Sequence, residues 1–457
     1  MEPKSCFINE DNMILSTDFY QISMICAYYQ YNLENNIDEE EDIGTFELFV
    51  RKFPKNRNFL IFAGLEQIIH YIQNARFTPR IIEYLRGREM LEKIDDSFFD
   101  EYLPNFKYNL DIWAMPEGTI FFPNEPLVRV TGPMIHAQLL ETYILSVINY
   151  QTIVASKAAR IREAAKDKLI LEFGTRRAHS PQAGIYAARA SYIGGFDGTS
   201  NVVSDLELGI EASGTMAHSF IEKFGEMESF EVFYKYYGKN TINLIDTYDI
   251  KEGTLKSTKF GNKILGVRID SGDLAKETKR VRRILDENGC EKVKIVLSSN
   301  LDEYKIKDIL DKGAPADAFG VGTELVTSSD DPTLSAVYKL MEHNGEPKIK
   351  ISEGKKTYPS RKQLYRKFDK EGKYAEDILM LEDEDPPENA YPLLVPIMKN
   401  GKLIYELPNL DEIKEFCADN IDKLPENYLQ LKKIKAQKLR ISEKLETLMD
   451  SLIKKYG

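Results

Sequence analysis

The stretch Lys263-Ile-Leu-Gly-Val-Arg-Ile-Asp-Ser-Gly-Asp273 decides the fold reading. A β-prone apolar run ends on a charged residue and a glycine, and Leu274 to Glu287 then takes up helical spacing. The unit recurs on both sides. Val293 to Ser299 and Asp317 to Gly322 read as strands, with Glu303 to Asp311 as the helix between them. Toward the N-terminus, Lys168 to Phe173 and Thr241 to Asp246 read as strands, and Pro181 to Tyr192 as a helix. Strands alternating with helices imply parallel β-α units. Polar residues gather where the strands end: Arg176, Asp246, Asp270, Ser298, Ser299, Gly320, Gly322 and Thr323. A β/α barrel carries its active site on that rim, and an open doubly wound sheet, the alternative, binds ligands at the same strand ends.

The flanking chain reads differently. Ser16 to Asp18 precede an apolar-periodic stretch through Tyr31, as a helix N-terminus does, and the acidic tract Asp38 to Asp42 is expected to be a solvated loop. Thr45 to Phe53 alternates like a strand, Phe59 to Ile72 has helical spacing, and Trp113 to Pro133 mixes Pro and Gly with β-formers, as short strands and turns do. Ile135 to Ala165 predicts one or two helices. A first α/β domain is therefore expected over residues 1–133, and the barrel over 134–345. Further on, the run Glu382 to Asp385 before Pro386 and Pro387 predicts an exposed loop, and Tyr428 to Lys455 an amphipathic, Lys-rich helix. Lys355, Lys356, Arg361, Lys362 and Arg366 form a basic stretch that suits either a phosphate clamp or a solvated face.

With 457 residues, 42% of them hydrophobic, the chain can bury a large core. A net charge of −12 repels a nucleic-acid backbone, so no nucleic-acid partner is expected. Cys6, Cys26, Cys290 and Cys417 show no C-x-x-C pair and no metal-ligand spacing, which suits reduced thiols. The N-terminus carries acidic residues instead of an apolar signal segment, and no apolar run reaches the ~20 residues of a membrane span, so a cytoplasmic protein without membrane attachment is expected.

Three clusters carry the chemistry: Glu172-Phe-Gly-Thr-Arg-Arg177, Gly194-Gly-Phe-Asp-Gly-Thr-Ser-Asn201 and Ser213-Gly-Thr-Met-Ala-His-Ser219. Glycines let backbone N–H groups approach an anion, Arg176 and Arg177 can grip phosphate or carboxylate, and His218 offers a nucleophile or proton carrier. The combination points to an enzyme acting on a phosphorylated small molecule. His70, His136 and His343 lie in amphipathic or loop contexts that suit surface or satisfied core imidazoles, and His179 is ambiguous beside Arg177.

These clusters resemble the type II phosphoribosyltransferases of pyridine nucleotide synthesis, above all the nicotinate phosphoribosyltransferase family. The likeness runs from Thr17-Asp-Phe-Tyr20 through Glu172 to Ala178, Gly195 to Asn201, Gly214 to Ser219, Gly266 to Asp273 and Phe319-Gly-Val-Gly-Thr323 to Lys356-Thr-Tyr-Pro-Ser-Arg-Lys-Gln363. The resemblance implies transfer of phosphoribosyl from phosphoribosyl pyrophosphate (PRPP) to nicotinate, giving nicotinate mononucleotide and pyrophosphate, with Mg²⁺ and with ATP hydrolysed through a phosphohistidine. It also implies an irregular β/α barrel, a second, sandwich-like α/β domain completed by residues 346–457, and a homodimer with sites shared across the interface.

Residue by residue, the resemblance gives His218, Asp270 and Arg268 catalytic roles, with His218 the phosphorylated residue. Phe173 and Tyr20 would sandwich the pyridine ring, Tyr20 reaching over from the other subunit, with Ser200 and Thr215 nearby. Arg176 would pair with the nicotinate carboxylate by its planar fork. Amide-using relatives carry an Asp where Ser200 stands, and its absence removes repulsion against a carboxylate. Arg177, Ser271, Gly272, Ser299, Gly320, Gly322 and Thr323 would hold PRPP and its phosphates. Protein ligands of Mg²⁺ do not emerge. Two positions depart from the family: His179 replaces a Gln, and Ser360 a Gly. Use of nicotinamide or quinolinate, and a catalytically silent nucleotide-binding relative, are the alternatives; the joint presence of His218, Arg268 and Asp270 argues against silence.

Overall fold

The computed structural model describes residues 8–351, 357–435 and 439–456. Six strands form a parallel sheet in the spatial order Gly198–Thr199, Leu169–Glu172, Ala318–Val321, Lys294–Leu297, Gly266–Ile269, Ile242–Leu244. All point the same way, so every C-terminal end lies on one rim. Ala318–Val321 is buried throughout and Lys294–Leu297 in its last three residues, the apolar signature of strands covered on both faces. Asp273 and Asp302 start the helices Leu274–Glu287 and Glu303–Asp311 by accepting from the backbone N–H of Lys276 and Lys305. Among the described residues no ladder joins Gly198–Thr199 to Ile242–Leu244, so the hydrogen-bonded sheet stays open where a barrel was expected to close.

The second layer is antiparallel and draws on both ends of the chain. Its seven strands run in the order Glu346–Pro347, Ala336–His343, Ile43–Val50, Pro126–Pro133, Asp111–Ala114, Val395–Lys399, Lys402–Leu403. A four-stranded sheet, Ala390–Pro392, Lys362–Phe368, Tyr374–Leu381 and Arg440–Ile441, lies beyond. The strand Ala336–His343, placed within the barrel segment by sequence, pairs instead with Ile43–Val50, because its apolar side joins the other core. Helix Glu141–Ala165, buried along most of its length, packs against helices Pro181–Ile193 and Glu303–Asp311 and against the short strand Leu60–Ile61.

Four local expectations need correction. Phe59 to Ile72 splits into the strand Leu60–Ile61 and the helix Leu65–Asn74. The C-terminal helix covers only Glu443–Tyr456, since a turn at Glu426–Leu429 and the strand Arg440–Ile441 precede it. The acidic tract contains a helical turn, Glu39–Glu41, and two of its carboxylates hold histidines: Glu39 faces His136 at 3.3 Å and Asp42 meets His343 at 2.7 Å. In the basic stretch, Lys355 and Lys356 lie outside the described residues. Lys362 is buried against Glu47 at 3.0 Å and Arg366 against Asp377 at 2.6 Å, so neither is available as a phosphate clamp. Arg361 pairs with Glu342 at 2.8 Å.

Candidate active site

The rim of the parallel sheet brings together residues from the ends of its six strands and from one connection. Asp246 follows Ile242–Leu244, Asp270 and Ser271 follow Gly266–Ile269, Ser298 and Ser299 follow Lys294–Leu297, and Gly322 and Thr323 follow Ala318–Val321. Phe173, with the helical turn Thr175–Arg177, follows Leu169–Glu172, and Ser200 follows Gly198–Thr199. Thr215 and His218 come from the connection after Ala212, where His218 opens the helix His218–Phe224.

One hydrogen-bonded chain organises the charged centre. His218 Nδ1 lies 3.0 Å from Thr247 Oγ1, and its Nε2 faces Asp270 Oδ2 at 3.8 Å. Ser298 Oγ donates to the other oxygen of Asp270. Buried Asp246 accepts from the Asp270 backbone N–H at 2.9 Å and from Ser271 Oγ at 2.6 Å through one oxygen, while its Oδ1 has no hydrogen-bond partner among the described residues. Arg268 donates from Nη2 to Met216 O at 3.2 Å, fixing the His218 connection, while its buried Nε has no partner among the described residues. Burial pulls the Arg268 guanidinium below its ordinary pKa; Asp270 and Asp246 oppose that, and nearby Arg176 adds to it. The centre thus keeps one buried cationic donor and one buried carboxylate oxygen without partners, an arrangement that a polar ligand would complete.

The aromatic floor has its own packing logic. The Phe173 ring lies over Gly320: a Cβ at Gly320 would sit 2.3 Å from a ring carbon. Gly320 is therefore a strand residue beneath the ring, and the turn suited to a phosphate nest begins only at Gly322. Glu172, fully buried, accepts from Thr199 Oγ1 at 2.6 Å and from the Gly174 backbone N–H, which ties the turn after Phe173 to the neighbouring strand. Burial raises the Glu172 carboxyl above its ordinary pKa. Asn201 caps the helix Val202–Leu208 and donates to Thr175 Oγ1 at 3.1 Å. Arg176 and Arg177 are exposed, free to reach an anionic ligand. Gly272 at φ 83° and Ser299 at φ 109° adopt the left-handed region; for Ser299 this costs roughly 1–3 kcal/mol, strain of the kind concentrated at ligand-binding loops.

Tyr20 does not join this cluster within the chain. It sits at the start of helix Phe19–Asn35, about half exposed and beside Glu141 and Asp18, and among the described residues no ring contact links it to Phe173. Sequence reasoning put Asp246 and Ser298 on the rim without giving them roles, and it passed over Thr247 altogether. The Asp-Thr pair after an apolar run was the available signal, since a carboxylate at a strand end is rarely needed by the fold alone. Ser360 adopts φ 63°, the left-handed region that favours a glycine, and its hydroxyl donates to Glu342 at 2.9 Å. His179 is exposed at the end of the Arg176-Arg177 turn.

Among the described residues no group of three or more His, Cys, Asp and Glu side chains is placed to hold a metal ion. Asp246 and Asp270 fit Mg²⁺ in another way, because this ion is commonly bound by one or two carboxylates together with substrate phosphate oxygens. No helix among the described residues is long and apolar enough to cross a membrane.

Known proteins match this chain in sequence and fold. Family models described as the nicotinate phosphoribosyltransferase N-terminal domain, family and C-terminal domain match residues 15–149, 169–373 and 387–449. The chain is 40% identical over 419 residues to a nicotinate phosphoribosyltransferase of Mycobacterium tuberculosis, covering 90% of this chain and 87% of that protein. To the Bacillus subtilis nicotinate phosphoribosyltransferase it is 37% identical over 471 residues, covering 95% and 94%. The crystal structure of human nicotinic acid phosphoribosyltransferase superposes with a TM-score of 0.84 at 26% identity, covering 95% of this chain and 99% of that one. From these matches along nearly its whole length, the chain belongs to the nicotinate phosphoribosyltransferase family.

Proposed function

We propose that the protein transfers the phosphoribosyl group of PRPP to the ring nitrogen of nicotinate, releasing pyrophosphate, and that it couples this to ATP hydrolysis through phosphorylation of His218. The observation that carries the reading is the underpaired centre of Arg268, Asp246 and Asp270 on the same rim as Phe173 and the arginine turn. Breaking the bond from the anomeric carbon to pyrophosphate leaves an oxocarbenium-like ribose, so catalysis consists of holding the leaving charge and presenting the base in line. Arg268 supplies positive charge, Asp270 orients the ribose, and Arg177, Ser271, Gly272, Ser299, Gly322 and Thr323 take the phosphates. Bound Mg²⁺ supplies further neutralisation of the pyrophosphate.

Phe173 offers one flat face to the pyridine ring, and Arg176 pairs with its carboxylate, with Ser200 and Thr215 at the edge of the same pocket. Tyr20 of a second copy supplies the opposite face; its exposure, with no ring contact to Phe173 among the described residues, supports a homodimer with shared sites. In the ATP half-reaction, the Thr247 contact can keep the proton on Nδ1 and leave Nε2 as the nucleophile. Nε2 attacks the γ-phosphorus, the bond to the bridging oxygen breaks, and ADP leaves; water later returns the phosphoryl group as phosphate.

Two experiments test this. Protein incubated with γ-labelled ATP should acquire acid-labile, base-stable label that His218→Ala abolishes; label retained by that variant would move the role to another residue. Mixing Tyr20→Ala with Asp270→Ala subunits should restore activity through heterodimers that hold one intact site, and no recovery after verified exchange would place each site within one chain.

A further inference from the structure

Behind the rim, five charged side chains, four of them buried and Asp330 partly exposed, form a network that the chemistry above does not use. Lys157, in the middle of helix Glu141–Ala165 and 1% exposed, pairs with Glu303 at 2.7 Å and with Asp330 at 2.8 Å. Arg160, one helical turn on, holds the other oxygen of Glu303 at 2.9 Å, and buried Arg57 grips Asp330 through a fork of 2.8 and 3.1 Å. Lys55 adds a backbone N–H to Asp331 at 3.2 Å.

The two carboxylates bridged by Lys157 lie downstream of the two turns assigned to phosphate binding, Asp330 beyond the short helix Thr323–Val326. Glu303 opens the helix that follows the Ser298-Ser299 turn, and Asp330 lies in the connection that follows Gly322 and Thr323. Lys157 touches both, and most of its helix is buried. Burial pushes the Glu303 carboxyl up, but Lys157 and Arg160 outweigh it and hold it below the ordinary range; Arg57 and Lys157 do the same for Asp330. A buried pair is weak evidence for stability by itself, because well-packed apolar residues often serve as well, so a role in registry needs a direct test.

We propose that Lys157 is a positioning residue for the phosphoribosyl donor: by bridging Glu303 and Asp330 it sets the spacing between the Ser298-Ser299 turn and the Gly322-Thr323 turn. The proposal rests on the assignment of PRPP to this rim. Lys157 touches no substrate and acts through the two loops. Its removal leaves each carboxylate with an arginine, Arg160 for Glu303 and Arg57 for Asp330, so the fold keeps its charge pairing while the bridge is lost.

The test is steady-state kinetics on full-length Lys157→Met and Lys157→Arg, with thermal melting and size-exclusion chromatography as fold controls. Lys157→Met should raise KM for PRPP roughly ten- to a hundredfold, the scale of an ångström-level misplacement, while KM for nicotinate stays within about twofold. Lys157→Arg, which retains a cation between the carboxylates, should recover part of the loss. Glu303→Gln, which releases one end of the bridge, gives the same readout should Lys157→Met fail to fold. A folded Lys157→Met or Glu303→Gln protein with wild-type KM for PRPP, or with both KM values raised equally, overturns the positioning role. Wild-type protein that releases no pyrophosphate from PRPP with any pyridine base overturns the functional assignment itself, and the proposal with it.

Discussion

Charges in the antiparallel domain and charges on the parallel rim are treated in opposite ways. In the first, Arg366 is buried between Asp377 at 2.6 Å and Glu125 at 4.0 Å, and Lys362 against Glu47 at 3.0 Å with three backbone carbonyls around its ammonium. On the rim, the His218 to Asp270 contact is long at 3.8 Å, and Arg268 and Asp246 each keep a buried polar atom unpartnered. Lys362 and Arg366 sit in ion pairs of 3.0 Å or less, although Glu47 Oε1 also lacks a hydrogen bond among the described residues; what sets the rim apart is that its incomplete charges lie at strand ends, where a ligand can complete them. The basic stretch shows why composition alone misleads: Lys362 and Arg366 look like a phosphate clamp in the sequence and are internal counter-ions in the structure.

The contrast breaks most visibly by deleting one charge from each region. Arg366→Ala strands Asp377 and Glu125 without a cation and should cost about 3–5 kcal/mol in denaturant unfolding. Asp270→Ala, at a half-exposed site, should cost less than about 1 kcal/mol. Its turnover should nonetheless fall by about a hundredfold or more, as expected on losing a positioned group at the reacting centre. The reverse pattern, a stable Arg366→Ala and an unfolded Asp270→Ala, would erase the distinction.

Within the rim, the proposed roles make base recognition separable from donor binding. Arg176→Ala should reduce the preference for nicotinate over nicotinamide by about 1.5–3 kcal/mol, roughly ten- to a hundredfold in kcat/KM, with the nicotinamide rate little changed. Gly320→Ala should displace the Phe173 ring at a cost of about 1–3 kcal/mol, seen as a higher KM for nicotinate with KM for PRPP retained. An effect confined to PRPP would return Gly320 to the phosphate site.

The smallest effect is expected in acid. Burial raises the Asp330 carboxyl, but Arg57 and Lys157 prevail and hold it below the usual carboxylate range. A depressed folded pKa adds stability above the unfolded value of about 4, and that stability is lost as pH falls below it. Asp330→Asn should therefore flatten the melting-temperature profile below about pH 4. An unchanged acid limb would mean that other carboxylates set it.

The β-α alternation was legible because each unit carries a complete local signal: an apolar run, a polar end, a capping Asp and a helical stripe. Leu274–Glu287 and Glu303–Asp311 match their sequence boundaries for this reason. Strands of the C-terminal segment such as Lys362–Phe368 and Tyr374–Leu381 were not legible. Their charged residues, Arg366 and Asp377 among them, point inward and are satisfied by tertiary partners, Arg366 by Asp377 and by the Ile120 carbonyl, which no local pattern announces. The rim motifs were legible as a set through glycines and charges at strand ends. Asp246 and Thr247 gain meaning only once Ile242–Leu244 is placed beside Gly266–Ile269 and brings them to Asp270 and His218.

The most direct test of the account is product analysis of the wild-type protein supplied with PRPP and, separately, nicotinate, nicotinamide and quinolinate. Nicotinate should yield nicotinate mononucleotide and pyrophosphate in equal amounts, nicotinamide should react far more slowly, and Asp270→Ala should abolish most of the signal while remaining folded. Equal turnover of nicotinamide, release of carbon dioxide from quinolinate, or no pyrophosphate with any base would contradict the assignment of the rim's incomplete charges to nicotinate phosphoribosylation.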